Sequence, residues 1–208
     1  VMTTSEVNPK NNKRWVHRME KNGRTIVAGN TGLIFTNHYP TYGPATGGVG
    51  HADSASLIPG ISVAMADGAF LQRLLKRKGA VKIRLTSTDQ IEPMVSWNVV
   101  ADLPGTQHPE QIVMLGCHYD GHDISQGATD PASGTVAVLE AARVLAQYAA
   151  DLPVTLRFLL WGVEEIGLIG STKYVEKHAA ELDNVRFYLN MDMAGAWPNP
   201  GVVLNKWP

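Results

Sequence analysis

The sequence predicts an α/β protein whose larger part is a three-layer sandwich, with a mainly parallel mixed sheet between two layers of helices. Four apolar strand candidates follow residue 93, at 96–103, 111–120, 154–162 and 185–193. Apolar strands that alternate with helices are typical of a parallel sheet covered on both faces. The change of pattern near residue 93 predicts two domains, residues 1–92 and residues 93–208.

Two helix candidates separate the later strands, at residues 131–150 and 170–182. In the first of them, small and aliphatic residues recur at helical spacing along one stripe: Val138, Ala141, Ala142, Leu145 and Ala149. Such a stripe indicates a helix that packs one face against a sheet.

The first part of the chain has a different pattern. Short apolar runs are separated by clusters of Gly, Pro, Asn and Ser, which is typical of a loop-rich, largely β module. One helix is predicted here, over residues 67–79, with Asp67 as its N-terminal cap and Gly79 as its end.

The charge balance limits the classes of partner. The chain carries 18 basic and 19 acidic residues, so it lacks the basic excess that nucleic-acid binding requires. No apolar segment approaches the roughly 20 residues that span a bilayer, and the first ten residues do not resemble a signal peptide. The sequence therefore predicts neither a nucleic-acid partner nor a membrane span.

Polar residues stand at the ends of three predicted strands. They are His118 and Asp120 in "CHYD", Glu164 and Glu165 in "VEE", and Asp192 in "NMD". A further acid, Asp130, stands at the start of the helix that follows the first of these strands. Because sites in open α/β sheets form at the carboxyl ends of the strands, we expect these residues to converge.

Five carboxyl groups beside one imidazole repel each other unless several are protonated or a cation lies among them. Carboxylate and imidazole ligands suit zinc or a similar divalent ion. Taken singly, the residues have simpler interpretations: Asp130 before Pro131 fits a helix cap, and His118 fits an interior histidine. The convergence of the whole set favours a metal site.

A cysteine nucleophile is the alternative that the sequence raises most directly, because Cys117 precedes His118. Adjacent residues of a strand point to opposite faces, so this pair would not form a nucleophile and its base. We therefore predict that Cys117 is a buried structural thiol. His122 and His178 have no partner at a matching position in the sequence.

Four segments together resemble the aminopeptidase family that has two co-catalytic zinc ions. They are "GCHYDG", "GATDPASGTVAVLEAARVL", "LLWGVEEIGLIGSTKYV" and "LNMDMAG", in this order. The resemblance covers roughly residues 95–195. In the first part, "TGLIFTN" and "IPGISVAMADGAFLQRLLKRKG" resemble the protease-associated domain, a β-rich accessory module of such peptidases.

The resemblance implies a role for each site residue. His118 and Asp192 would bind one zinc ion, Glu165 would bind the other, and Asp130 would bridge both. Asp120 would orient His118 through its second ring nitrogen. Glu164 would be the general base for a zinc-activated water that attacks the scissile peptide bond.

A bridging carboxylate has to leave the start of its helix at an unusual angle. An X-Pro bond adopts the cis form at a cost of only about 0.5–1 kcal/mol. We therefore predict a cis peptide bond between Asp130 and Pro131.

The family resemblance also implies features beyond the site residues. The family draws a second histidine ligand from a position beyond the match to Asp192, so the chain is interpreted as a C-terminally truncated piece with a partial protease-associated domain. Where the family holds two zinc ions, we therefore expect one well-held ion in this chain. A peptide or small protein substrate and a secreted or periplasmic location follow from the resemblance, and an oligomer is compatible with it.

Two other classes share features with this sequence. Glutaminyl-peptide cyclotransferases have the same fold and a similar "GATD" segment but use one zinc, and the "EEIGLIGS" segment argues against them. Receptor-like homologues keep the fold without activity, and the presence of Glu164 with the proposed ligands argues against that class.

Overall fold

The computed structural model describes residues 2–4, 16–37, 43–50 and 54–195. The chain divides into two compact units, residues 1–94 and residues 95–208.

The first unit contains a small parallel sheet and two helices. Its elements are β1 (Met2–Thr4), α1 (Arg18–Val27), β2 (Leu33–Thr36), β3 (Gly60–Val63) and α2 (Met65–Lys78). The strands are arranged in the order β1-β2-β3, and both neighbouring pairs are parallel. Leu33 and Ile34 of the central strand are buried in the core of this unit.

The structure corrects two expectations for the first unit. α2 begins two residues before Asp67 and has Ala64 at its N-cap position, so Asp67 lies in the first turn and is not the cap. The helix does end at Gly79, whose φ of 73° suits glycine. The second correction concerns the number of helices. One helix was predicted in a largely β module, but the described part of this unit is mixed α/β and also contains α1.

α1 was missed because its buried face is polar. The buried residues of this helix are Lys21, Asn22 and Thr25. Asn22 Nδ2 donates hydrogen bonds to Val49 O and Ser56 Oγ, at 2.9 and 2.8 Å. A helix that packs through hydrogen bonds has no apolar stripe for a periodicity argument to detect.

The second unit is a mixed sheet with helices on both faces. Its elements are β4 (Val99–Leu103), β5 (His108–His118), α3 (Ala132–Leu145), β6 (Val154–Trp161), α4 (Ile169–Lys177) and β7 (Val185–Asn190). Two 3₁₀ helices, Ala146–Asp151 and Ala179–Asn184, follow α3 and α4. The sheet order is β4-β6-β5-β7, with β5 parallel to both β6 and β7 and with β4 antiparallel to β6.

Alternating side chains of the two central strands form separate cores on the two faces of the sheet. On one face, Met114 and Trp161 pack in a cluster with Tyr174 of α4. On the other face, Cys117 and Phe158 pack with Val138 of α3. The predicted arrangement of helices on both sides of a mainly parallel mixed sheet is therefore confirmed for this unit.

The sheet fixes where the polar segments emerge. The parallel strands β5, β6 and β7 end at His118, Trp161 and Asn190, so their carboxyl ends meet along one edge. Within the part of the chain that the structure describes, no helix has the length and apolar character needed to cross a membrane.

Candidate metal centre

His118, the last residue of β5, lies at the centre of the converging segments. Its side chain is only 3% exposed. The Nδ1 atom lies 2.8 Å from the backbone oxygen of Asp120, and since a carbonyl oxygen only accepts, Nδ1 carries the hydrogen. The Nε2 lone pair of the neutral ring is then available to a cation.

Two aspartates approach Nε2 of His118 from different segments of the chain. Asp130 Oδ1 and Asp192 Oδ1 each lie 3.0 Å from this nitrogen. The peptide bond between Asp130 and Pro131 is cis, as predicted. Pro131, and not Asp130, occupies the N-cap position of α3, and no side chain caps that helix. Asp130 is thus directed to His118 and does not cap α3.

The loop after β6 carries the two adjacent glutamates, and Asp120 holds this loop. The carboxylate of Asp120 accepts hydrogen bonds from the backbone nitrogens of Glu164 and Glu165, at 2.9 and 3.2 Å. Its Oδ1 atom lies 3.7 Å from Nδ1 of His118, so the contact to that ring nitrogen is made by the Asp120 carbonyl. Asp120 therefore links the histidine segment to the glutamate segment.

Asn98 holds the two ends of the same loop together. Its side chain accepts a hydrogen bond from Gly162 N at 3.1 Å and donates one to Gly170 O at 2.8 Å. A Cβ atom on Gly170 would overlap the carbonyl oxygen of Gly162, so this close approach requires glycine. The positions of Glu164 and Glu165 are therefore restricted at both ends of their loop.

His122 is a residue of this region that the sequence analysis missed. Its Nε2 atom lies 2.8 Å from Oε2 of Glu165. His178 also has a partner, since its Nδ1 atom lies 2.6 Å from Glu181 Oε1. The sequence had assigned neither histidine a partner. The alternation of His118, Asp120 and His122 in "HYDGH" is a signal that could have found the first of these contacts.

The carboxylate oxygens at this edge of the sheet test whether the site suits a cation. Asp130 Oδ1 and Glu165 Oε1 are both buried and accept no hydrogen bond. The 3.0 Å contact of Asp130 Oδ1 with Nε2 of His118 does not have hydrogen-bond geometry. His118, Asp130 and Glu165 each offer one ligand atom, and these atoms all lie within 4.8 Å of one another. Buried carboxylate oxygens without donors are costly, and one imidazole with carboxylates is a donor set that zinc accepts. These residues therefore fit a divalent metal ion.

The family model described as "Peptidase family M28" matches residues 98–206, which is more than half of the chain. This chain belongs to peptidase family M28.

Curated relatives and solved structures agree with this assignment. Over 181 residues the M28 chain is 35% identical to a leucine aminopeptidase 2 from Arthroderma otae, which covers 86% of this chain and 35% of that protein. It is 30% identical over 158 residues to carboxypeptidase Q from Xenopus laevis, with 76% and 34% covered. A zinc aminopeptidase structure from Bacillus subtilis matches with a TM-score of 0.63 and 26% identity, over 86% of this chain and 42% of that one. The chain thus spans about a third of the length of these curated relatives.

The electrostatics of the M28 site reflect the crowding of acids. Burial, and then the charges of Asp130 and Glu164, raise the pKa of Glu165 to about 7. Burial also raises the pKa of Glu164 above its ordinary value. Burial lowers the pKa of His118, but its hydrogen bonds to Asp192 and Asp120 outweigh this and raise it overall. Without a cation, these side chains therefore hold protons at higher pH than usual, and a divalent ion would displace protons from the residues that bind it.

Cys117 is a buried thiol beneath this site. Its Sγ atom lies 3.6 Å from the backbone oxygens of Pro131 and Asp192. Burial raises its pKa to about 11, so the thiolate form is disfavoured at neutral pH. The prediction that Cys117 is a buried thiol is confirmed.

Proposed function

We propose that this M28 chain carries the metal site of a zinc-dependent aminopeptidase, which hydrolyses the N-terminal bond of a peptide or small protein. The observation that carries the proposal is the meeting of His118, Asp130 and Glu165 from three segments, with two buried carboxylate oxygens that lack hydrogen-bond donors. The similarity to leucine aminopeptidases and to a zinc aminopeptidase structure supports the same activity.

Each proposed ligand has a place in this account. His118, Asp130 and Asp192 would hold one ion, because both aspartates lie 3.0 Å from Nε2 of His118. Glu165 and a second oxygen of Asp130 would contribute to a further position. Because the ligand atoms of Glu165, His118 and Asp130 all lie within 4.8 Å of one another, Glu165 would also reach the ion at the first position. When bound, zinc acts as a Lewis acid that polarises the scissile carbonyl and lowers the pKa of water. Three protein ligands meet the usual count for a catalytic zinc, so about one well-held ion is proposed for this chain.

Glu164 is the proposed general base. It precedes the ligand Glu165 and its backbone nitrogen is fixed by Asp120 at 2.9 Å. Burial raises the pKa of its carboxyl group, which brings its basicity closer to that useful near neutral pH. Glu164 would take one proton from the attacking water and deliver it to the leaving amine. The adjacent glutamates thus have separate roles, one in binding the ion and one in moving the proton.

The first unit is proposed to be an accessory domain similar to the protease-associated domain. The support is the resemblance of residues 31–37 and 58–79 to that module. A secreted or periplasmic location is proposed on the same family resemblance.

A carboxypeptidase is the second candidate, because the chain is also 30% identical to carboxypeptidase Q from Xenopus laevis. Three substrates separate the two activities. An aminopeptidase cleaves a chromogenic leucyl amide that has a free amino group but not its N-acetylated form, and a carboxypeptidase cleaves an N-blocked dipeptide that has a free carboxylate. An N-terminal glutamine peptide serves as a test for cyclotransferase activity. We expect release of amine from the first substrate alone. Cleavage of the N-blocked dipeptide alone would establish the carboxypeptidase, and cyclisation without hydrolysis would establish the cyclotransferase.

A further inference from the structure

His122 lies beside the candidate metal centre but has no role in the proposed reaction. It stands four residues after His118, on the loop between β5 and α3, and its side chain is 24% exposed. Its Nε2 atom lies 2.8 Å from Oε2 of Glu165, whose side chain is 10% exposed. This contact joins the loop after β5 to the side chain of a proposed ligand on the loop after β6.

The two carboxylate oxygens of Glu165 have different surroundings. Oε2 faces the imidazole of His122, whereas Oε1 is buried and has no hydrogen-bond partner. A contact at one oxygen restricts rotation of the carboxylate about its terminal torsion, which is otherwise broad. The imidazole therefore determines which oxygen of Glu165 is left for a cation.

The same short segment also fixes the backbone of Glu165. Asp120 accepts a hydrogen bond from the nitrogen of Glu165 at 3.2 Å, and His122 contacts its side chain at 2.8 Å. The segment "HYDGH" thus supplies three contacts from alternate residues. His118 is a proposed metal ligand, the Asp120 carboxylate accepts a hydrogen bond from the backbone nitrogen of Glu165, and His122 contacts the side chain of Glu165. Glu165 is held at two points by the segment that begins with His118.

We propose that His122 is a positioning residue: it orients Glu165 so that Oε1 faces a divalent ion held together with His118 and Asp130. This inference rests on the proposed function only in taking Glu165 as a ligand. Partners that orient metal ligands typically contribute about 10- to 100-fold to metal affinity. The same loss is expected when the imidazole of His122 is removed.

The test measures metal binding and not peptidase turnover. Zinc affinity is obtained by competition with a chromogenic chelator, and the visible spectrum is recorded after substitution with cobalt. The variant His122→Leu should lower zinc affinity by about 10- to 100-fold and change the cobalt spectrum, which reports ligand geometry. His122→Gln places an amide N–H donor near the Nε2 position and should recover most of the affinity and the wild-type spectrum. Equal losses in the Leu and Gln variants would overturn the proposal.

His178→Leu is the matched control, because it removes an imidazole that lies 2.6 Å from a different glutamate, Glu181. Zinc affinity should not change in this variant. If His178→Leu weakens binding as much as His122→Leu, the effect is a general loss of stability and the proposal is overturned. If His122→Leu does not fold, His122→Asn is used in its place. The side chain of asparagine is shorter than that of glutamine, so its amide ends further from Glu165, and this variant should weaken zinc binding although His122→Gln does not.

Glu165→Gln separates failure of this inference from failure of the ligand assignment. If Glu165→Gln weakens zinc binding but His122→Leu does not, the role of His122 is wrong and the assignment of Glu165 stands. If neither variant weakens binding, Glu165 is not a ligand and both are wrong. In the double variant, His122→Leu should cost nothing beyond Glu165→Gln, since His122 acts through that side chain. An additional 10-fold loss in the double variant would contradict the proposal.

Discussion

The Nε2 atom of His118 lies 3.0 Å from Oδ1 of Asp192, although 74 residues separate them in the chain. The contact follows from the sheet, because β5 and β7 are parallel neighbours that end at the same edge. Beyond the paired residues, Met191 N still donates a hydrogen bond to Gly116 O at 2.8 Å. The position of Asp192 is therefore set by backbone hydrogen bonds and not by its own side chain alone.

Gly134 is the residue of α3 that permits this arrangement, and its substitution is the first prediction. A Cβ atom at Gly134 would overlap the backbone oxygens of Met191 and Asp192. Gly134→Ala should therefore push α3 away from the end of β7, separate Asp192 from His118 and weaken metal binding. Overpacking of this kind costs about 1–3 kcal/mol of unfolding free energy, measured by chemical denaturation.

Gly23→Ala in α1 is the matched control, because beyond the neighbouring backbone of its own helix no atom lies within 4 Å of the added Cβ. Alanine is favoured over glycine inside a helix by roughly 0.5–1 kcal/mol, so this variant should be as stable as the wild type or more so. Zinc affinity should not change. Normal metal binding in Gly134→Ala would show that the helix does not fix the distance between His118 and Asp192.

The second prediction concerns pH. In the metal-free chain the pKa of Glu165 is raised to about 7, and a carboxylate must lose its proton to bind a metal ion. As pH falls below 7, the protonated fraction of Glu165 rises and protons compete with zinc. Apparent zinc affinity should fall by up to about tenfold per pH unit for this one proton, measured by chelator competition between pH 8 and pH 5.5.

Glu165→Gln provides the comparison for the pH series, because an amide does not titrate. Its zinc affinity should be lower at pH 8 but should depend less steeply on pH. The pKa of His118 is also raised, so some dependence on pH remains in that variant. Identical slopes in the wild type and in Glu165→Gln would show that Glu165 does not release a proton on metal binding.

The third prediction concerns Asp120, which accepts hydrogen bonds from the backbone nitrogens of both glutamates. Asp120→Asn replaces one acceptor oxygen with an NH₂ group that faces a backbone N–H. An unsatisfied donor costs about 1–3 kcal/mol, and the loop that carries Glu164 and Glu165 should become less ordered. Hydrogen exchange of the amides in residues 163–167 should accelerate. Asp183→Asn, at an exposed position, should leave that exchange unchanged.

The sequence predicted the sheet and the meeting of its polar strand ends, because both follow from apolar periodicity and from strand direction. The same reasoning missed α1, since Lys21, Asn22 and Thr25 form its buried face and leave no apolar stripe. It also missed the contact between His122 and Glu165, which depends on how two loops meet after strands that are neighbours only in the folded sheet. Asp120 illustrates the same limit, because the family resemblance implied a link to His118 but not that the backbone carbonyl makes it.

The fourth prediction concerns Glu164, the proposed base. Glu164→Gln keeps the size of the side chain and removes its ability to accept a proton. Turnover of a leucyl chromogenic amide, measured in a form of the protein that is active, should fall by at least about 10²- to 10⁴-fold, which is the contribution of a positioned base. A variant that retains near-normal kcat would show that another group takes the proton.

Zinc content is the most direct test of the central claim that His118, Asp130, Asp192 and Glu165 hold a metal ion beside a base that does not bind it. The wild-type chain and the variants Glu164→Gln and His118→Ala are dialysed against a mild chelator. The number of zinc ions per chain is then measured by inductively coupled plasma mass spectrometry. We predict about one retained equivalent in the wild type and in Glu164→Gln, because His118, Asp130 and Asp192 supply the three main ligands, and almost none in His118→Ala. A full equivalent retained by His118→Ala, or zinc lost from Glu164→Gln, would contradict the assignment of these residues.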